Sequence, residues 1–143
     1  MADEIEVFRA WFRTWGVCVA TVDFDAAKPL FADDVVGFGT HVAFVSGLEA
    51  LKKEQWSKVW PKITDFEFLV DELVGATQGE AAWAAVPWAS TGYDEAGRAF
   101  DRPGRATVTY RREGDVWLGT HTHFSLQPGV QPHTYGPRGR QSV

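Results

Sequence analysis

Trp60-Pro61-Lys62-Ile63-Thr64-Asp65-Phe66-Glu67-Phe68-Leu69-Val70 is where the chain changes its hydrophobic period. Before Pro61, apolar residues recur at the spacing of a helix. After it they alternate, with Phe66, Phe68, Val70 and Val74 set against Glu67 and Asp71, which is strand spacing. Working upstream, Ile5, Phe8, Trp11, Phe12, Trp15, Cys18, Val19 and Val22 predict a helix over residues 3–22, with Asp3 and Glu6 at capping-box spacing. Asp23 is placed to cap a short second helix that Pro29 distorts or shortens. Asp33-Asp34 ends that helix, and residues 35–40 read as a short strand. Ser46-Gly47-Leu48-Glu49 reads as a capping box opening a third helix through Trp60, with Leu48, Leu51, Trp56 and Val59 or Trp60 on its apolar side. Pro61 stops it.

Working downstream, Thr77-Gln78-Gly79-Glu80 is a turn and residues 81–93 form a second strand, in which Pro87 marks a bulge or an edge. Trp83 and Trp88 differ in parity, so without a bulge they face opposite sides. Residues 94–104 form a polar loop, and residues 105–112 and 116–126 are the last two strands, joined at Glu113-Gly114-Asp115. Helices first and long strands afterwards predict an α+β domain over residues 1–128, with N-terminal helices packed on a strongly curved, mostly antiparallel sheet. Such a sheet, closed by helices, leaves a conical cavity. Residues 129–143 hold Gly and Pro without apolar periodicity and read as a flexible or draped C-terminal tail.

The chain of 143 residues suffices for one domain with a sizeable core. Its seven Trp and ten Phe must line a thick core, a ligand cavity or an interface. A net charge of −5 argues against a nucleic-acid partner. The single cysteine, Cys18, excludes an intrachain disulfide and a cysteine metal cluster, and its place on the apolar stripe of the first helix reads as a buried, inert thiol. The acidic N-terminus lacks the features of a signal peptide, and no stretch approaches membrane-spanning length, so a cytoplasmic protein without a membrane partner is expected. Trp, Thr and Phe make the outer sheet face partly apolar, so a homodimer is expected.

The densest candidate chemistry is Trp117-Leu118-Gly119-Thr120-His121-Thr122-His123-Phe124-Ser125. Alternation puts Trp117, His121, His123 and Ser125 on one face without saying which face. One reading makes His121 and His123 an acid/base pair in the cone. The other makes them a polar stripe on the outer, dimer-forming face, with Thr107 opposite His121 and Arg105 opposite His123. Together with His41 the His-x-His spacing also fits zinc, but no carboxylate stands at a matching spacing, and neither a metal nor a cofactor is expected. Trp11, Trp15, Trp56, Trp60 and Trp88 supply either walls for an aromatic ligand or plain core, and their indole N–H groups need partners. Arg98, Arg102 and Arg105, mixed with Asp94, Glu95 and Asp101, read as solvated surface, with an anion clamp at the cavity mouth as the lesser reading.

Five of these pieces also carry a resemblance: the aromatic first helix, Leu30-Phe31-Ala32-Asp33-Asp34-Val35, Ser46-Gly47-Leu48-Glu49-Ala50-Leu51, Arg105-Ala106-Thr107, and the final Trp117…His121-Thr122-His123-Phe124-Ser125. In their order and spacing the chain resembles the NTF2-like superfamily, in the branch of SnoaL-like and ketosteroid-isomerase-like proteins, over residues 3–128. The resemblance implies the cone fold and pairing through the outer sheet face. It leaves function open, because the fold hosts isomerases, cyclases, dehydratases and oligomerising modules. Ketosteroid isomerases carry a carboxylate base a few residues after the equivalent of Ala32-Asp33-Asp34, and a tyrosine on the first helix. Here residues 35–40 contain no carboxylate, and the inward helix positions are Phe8, Trp11, Phe12 and Trp15, so that reaction is not expected. His41 is the only titratable group in this region; it stands in for the base or is an exposed loop residue.

The expectation is therefore a protein that binds a small apolar or aromatic molecule, with Trp15, Phe38, Thr40, Trp56, Trp60 and Trp88 around it. As an enzyme it would be a cofactor-free SnoaL-like cyclase, isomerase or dehydratase using His121, His123 or His41. The alternative is a non-catalytic ligand-binding or oligomerisation module. Polar groups within reach of a ligand favour the enzyme; a cavity filled by Trp side chains favours the module.

Overall fold

In the computed structural model, which describes residues 4–137, the first helix α1 (Glu6–Ala20) buries Phe8, Trp11, Phe12, Trp15, Cys18 and Val19. Its N-cap position is Ile5, with no side-chain cap, and the Glu6 carboxylate turns instead to Arg9 and Arg13. The expected partner Asp3 lies outside the described residues. This helix is held by its aromatic face rather than by its cap. Asp23 does cap α2 (Phe24–Ala27), accepting from the Ala26 amide at 3.1 Å, and Pro29 sits in the 3₁₀ turn that follows.

β1 (Phe31–Phe38) begins earlier than expected, because its first residues pair with the last strand. β2 (Val45–Ser46) pairs with β1, so Ser46 is a strand residue and not a cap. The N-cap position is Gly47, whose φ of +96° is one that a side chain disfavours. From there α3 (Leu48–Leu51) runs into a π-helical turn (Lys52–Trp56), α4 (Ser57–Val59) and a 3₁₀ turn (Trp60–Lys62). The wide turn explains the five-residue step between the buried Leu51 and Trp56, and it brings Gln55 inward too.

The strand expected over residues 66–74 is two: β3 (Thr64–Phe68) and β4 (Val74–Gln78), separated by a 3₁₀ turn at Val70–Glu72. Both pair with the same edge of β5 (Ala81–Tyr93), with Phe68 opposite Trp88 and Val74 opposite Ala85. Pro87 lies at the handover between them. Its carbonyl accepts from the Leu69 amide, and no ladder bond there requires its missing N–H. The expected loop 94–104 contains a further short strand, β6 (Ala99–Asp101), on the end of β5. With β7 (Gly104–Glu113) and β8 (Val116–Leu126) the sheet runs β2-β1-β8-β7-β5-β3, antiparallel except for the β1–β8 pair. Among the described residues no helix is long and apolar enough to cross a membrane.

Two local details of the β7–β8 hairpin decide which side chains face the helices. Glu113 pairs with Val116, so the turn is the two residues Gly114-Asp115. A bulge between the Thr109–His121 and Tyr110–Gly119 pairs then adds one residue, Thr120. Each moves the register by one. The residue opposite His121 is Thr109 and that opposite His123 is Thr107, two positions from the sequence expectation; Arg105 faces Ser125. The bulge also reverses parity. Trp117 lies on the helix side, 5.4 Å from the Phe8 ring, while His121, His123 and Ser125 lie on the other side.

Candidate functional site

The inner face of β5, β7 and β8 carries Trp88, Ala106, Val108, Thr122 and Phe124, all facing the helices. Aromatic rings nearly fill the cone. Trp15 packs 4.9 Å from Phe31 and 5.2 Å from Phe124, and Trp56 stacks on Trp60 at 4.7 Å. Two voids of about 30 Å³ remain, each near the size of one water. The first lies among Trp15, Leu51, Gln55, Trp56, Trp60 and Thr122. The second adjoins it at Gln55, Trp60 and Phe124 and extends to Thr40, Trp88 and Arg102. Thr40, Val59 and Arg102 also border a wider chamber of about 330 Å³, which opens between His41, Lys58, Lys62 and residues 132–135. Thr40, Val59 and Arg102 are thus shared walls of the chamber and the inner void, and any passage between the two runs past them.

Three polar residues from separate elements meet at that passage. Gln55 Oε1 accepts from the amides of His41 and Val42 at 2.9 and 3.1 Å. Its Nε2 donates to Thr40 Oγ1 at 3.1 Å, and Arg102 Nη2 donates to the same oxygen at 3.2 Å. The backbone comes close here: a Cβ on Gly39 would stand 2.5 Å from the Gln55 amide carbon. Arg102 is only 2% exposed, with its guanidinium carbon 5.7 Å from the Trp88 ring centre. Burial lowers its pKa to about 10, which leaves it charged at neutral pH. Its Nε has no hydrogen-bond partner, and neither has the indole N–H of Trp88 or Trp15. Among the described residues no carboxylate lies within ion-pair distance of Arg102. The passage is rich in donors and poor in acceptors.

The sequence-derived candidates divide between two places. Trp15, Trp56, Trp60, Trp88 and Thr40 line the inner voids, and Phe38 borders the first of them. His121 and His123 do not line the cone. The bulge puts them on the outer face, where the Phe38 ring packs 4.7 and 5.2 Å from them and His121 Nδ1 donates to the Val36 carbonyl at 2.8 Å. His41 is exposed and borders the chamber. Among the described residues no three His, Cys, Asp or Glu side chains converge as metal ligands. Among the described residues the buried polar and charged side chains are Gln55, Ser90, Arg102 and Thr122, and none of these is a carboxylate or an imidazole. Tyr110 adds a buried hydroxyl without a partner, and burial pushes its pKa well above the ordinary tyrosine range.

Sequence reasoning missed Gln55 and undervalued Arg102. The signal for Gln55 was the five-residue step that widens its helix. For the arginines, the solvated-surface reading fits Arg98, bound to Asp94, and Arg105, bound to Ser125. It fails for Arg102, because β6 turns the supposed loop into sheet and tucks that side chain over Trp88. The described part of the C-terminal segment hydrogen-bonds to the chamber wall. Thr134 Oγ1 donates to the Lys62 carbonyl at 2.7 Å and accepts from the Tyr93 amide, whose carbonyl accepts from the Tyr135 amide. The rest of the expected tail, residues 138–143, lies outside the described residues.

A family model for the SnoaL-like domain matches residues 7–128. Among solved structures, the chain is similar to an NTF2-like protein of unknown function from Pseudomonas putida KT2440, at 26% identity over 85% of each chain with a TM-score of 0.70. It is also similar to a protein assigned as a calcium/calmodulin dependent protein kinase II association domain from Xanthomonas campestris, at 22% identity over 91% of each chain with a TM-score of 0.74. A ketosteroid isomerase-like protein from Erwinia carotovora atroseptica matches at 19% identity, over 89% of this chain and 98% of that one, with a TM-score of 0.68. These likenesses show a shared NTF2-like fold. No curated protein matches the sequence.

Proposed function

The chain belongs to the SnoaL-like domain family, and from that premise we propose that it binds a small apolar or aromatic molecule in the chamber leading to the cone. The observation that carries this reading is a 330 Å³ chamber that shares Thr40, Val59 and Arg102 as lining with the inner void at Trp60 and Trp88. That volume is in the range of small-molecule sites. Trp60 and Trp88 form the wall behind the passage, with Trp15 and Trp56 deeper. Because the described residues bury neither a carboxylate nor an imidazole in the cone, a binding protein is preferred to a proton-transfer enzyme. The enzymatic reading keeps one supporting observation: His41 and His133 border the same chamber.

Calorimetric titration with benzamide, a neutral aromatic probe, tests the proposal. Saturable binding is expected, and His133→Trp, which fills the chamber from an exposed position, weakens it at least tenfold. Undiminished binding in that variant, or a wild-type protein that binds neither benzamide nor its charged analogue benzoate, would overturn the proposal.

A homodimer through the outer sheet face belongs to the same reading. Phe44 is 63% and Trp83 45% exposed on this side of the protein, beyond what an isolated sheet face tolerates comfortably. Light scattering should give twice 15.9 kDa for the wild-type protein and a monomer for Trp83→Glu. A wild-type monomer at micromolar concentration would contradict it.

A further inference from the structure

We infer that the molecule taken into the chamber is an organic monocarboxylate, whose carboxylate is received by the guanidinium of Arg102 beside the Thr40 hydroxyl. This rests on the binding reading above and specifies its ligand. The first ground is an unpaired charge. Arg102 is 2% exposed, its Nε has no partner, and no carboxylate among the described residues pairs with it. A guanidinium with five N–H donors is costly to bury unless an anion completes it. Arg98 and Arg105, close by in sequence, are exposed and have side-chain partners, so the orphaned state is particular to Arg102.

The second ground is the sign of what surrounds it. Thr40 Oγ1 already accepts from both Gln55 and Arg102, so its own proton remains to be donated. Trp88 lines the same void, and its indole N–H has no acceptor. Three donor-bearing residues thus line one void beside the chamber, and a carboxylate, with two oxygens and about four acceptor sites, complements them.

The third ground is the approach. Lys58 and Lys62 border the chamber and no carboxylate among the described residues lines it, although the whole chain carries a net charge of −5. The wall therefore favours an anion against the average charge of the protein. A single buried cation balances one negative charge. The apolar neighbours Phe66 and Trp88 would leave a second one unpaired, which selects a monocarboxylate over a phosphate dianion.

Titration calorimetry of the full chain with benzoate, benzamide and inorganic phosphate at low salt tests this. Benzoate is expected to bind at least tenfold more tightly than its neutral isostere benzamide, with phosphate weaker than benzoate. In Arg102→Met, an apolar replacement of similar length, that charge preference disappears; in Thr40→Val it falls at least threefold. Equal affinity for benzoate and benzamide in the wild-type protein would overturn the carboxylate inference and leave the binding reading intact. Phosphate binding more tightly than benzoate would also overturn it, and so would a preference that survives Arg102→Met. If neither aromatic probe binds, both readings fall. The wild-type comparison requires no variant to fold.

Discussion

His121 and Thr122 are adjacent on β8, yet they belong to different parts of the protein. Thr122 is 2% exposed among the rings of the cone, while His121 stands on the outer face against Phe38. The inner face is crowded with aromatic rings and carries polar groups that lack partners: Arg102 Nε and the indoles of Trp15 and Trp88. The outer face carries more polar side chains, and several of them are paired. His121 donates to Val36, and the hydroxyls of Thr109 and Thr120 lie 2.7 Å apart. Chemical potential follows unpaired groups rather than interesting residue types. The histidines attract attention in the sequence, but the outer face already uses one of them structurally. The arginine that reads as surface is the group left waiting inside.

Substitutions on the two faces should separate accordingly. The largest effect is expected for Trp15→Ala, which empties the centre of the inner face and should cost about 3–5 kcal/mol in denaturant unfolding. A loss below about 1 kcal/mol would mean that the rings repack and that the inner face is not a tight core. Gly39→Ala comes next. Its Cβ collides with the Gln55 amide, so a cost of about 1–3 kcal/mol is expected, together with weakened benzamide binding. A silent substitution there would show that Gln55 is free to move and does not set the passage.

On the outer face, His121→Ala removes one bond to a backbone carbonyl and should cost about 1 kcal/mol while leaving ligand affinity unchanged. Lost binding with intact stability would reverse the roles of the two faces. The smallest effect is expected for Ser46→Ala, within about 0.5 kcal/mol, because Ser46 is an exposed strand residue and Gly47 occupies the cap position. A drop of 1 kcal/mol in thermal unfolding would restore Ser46 as a cap.

The same contrast marks how far the sequence could be read. Period alone gave the α+β architecture, since the helical spacing before Pro61 and the alternation after it survive in α1, in the helical stretch from Leu48 and in β5, β7 and β8. That Trp83 and Trp88 face opposite sides followed from parity within one unbroken strand, and burial shows Trp88 to be the inward one. Parity failed where a single residue intrudes: nothing in Gly119-Thr120-His121 announces that Thr120 is extra, and that bulge sends the histidines outward. Arg102 was hidden for a related reason. A three-residue strand inside a charged loop has too few positions to show a period, so its burial emerges only from the tertiary pairing of β6 with β5. The aromatic residues that line the inner voids were legible as a set, because large rings must be buried somewhere. The polar members were not, because burial of Gln55 and Arg102 runs against their composition class.

Placement of the ligand at the inner face is tested most directly by the indole N–H resonances of the seven tryptophans during a benzoate titration. Trp88, beneath Arg102, should shift most, and Trp60 should follow it, while Trp83 on the outer face stays fixed. Movement of Trp83 together with the ring signals of His121 and His123, with Trp88 unchanged, would contradict the placement and put the ligand on the opposite side of the sheet.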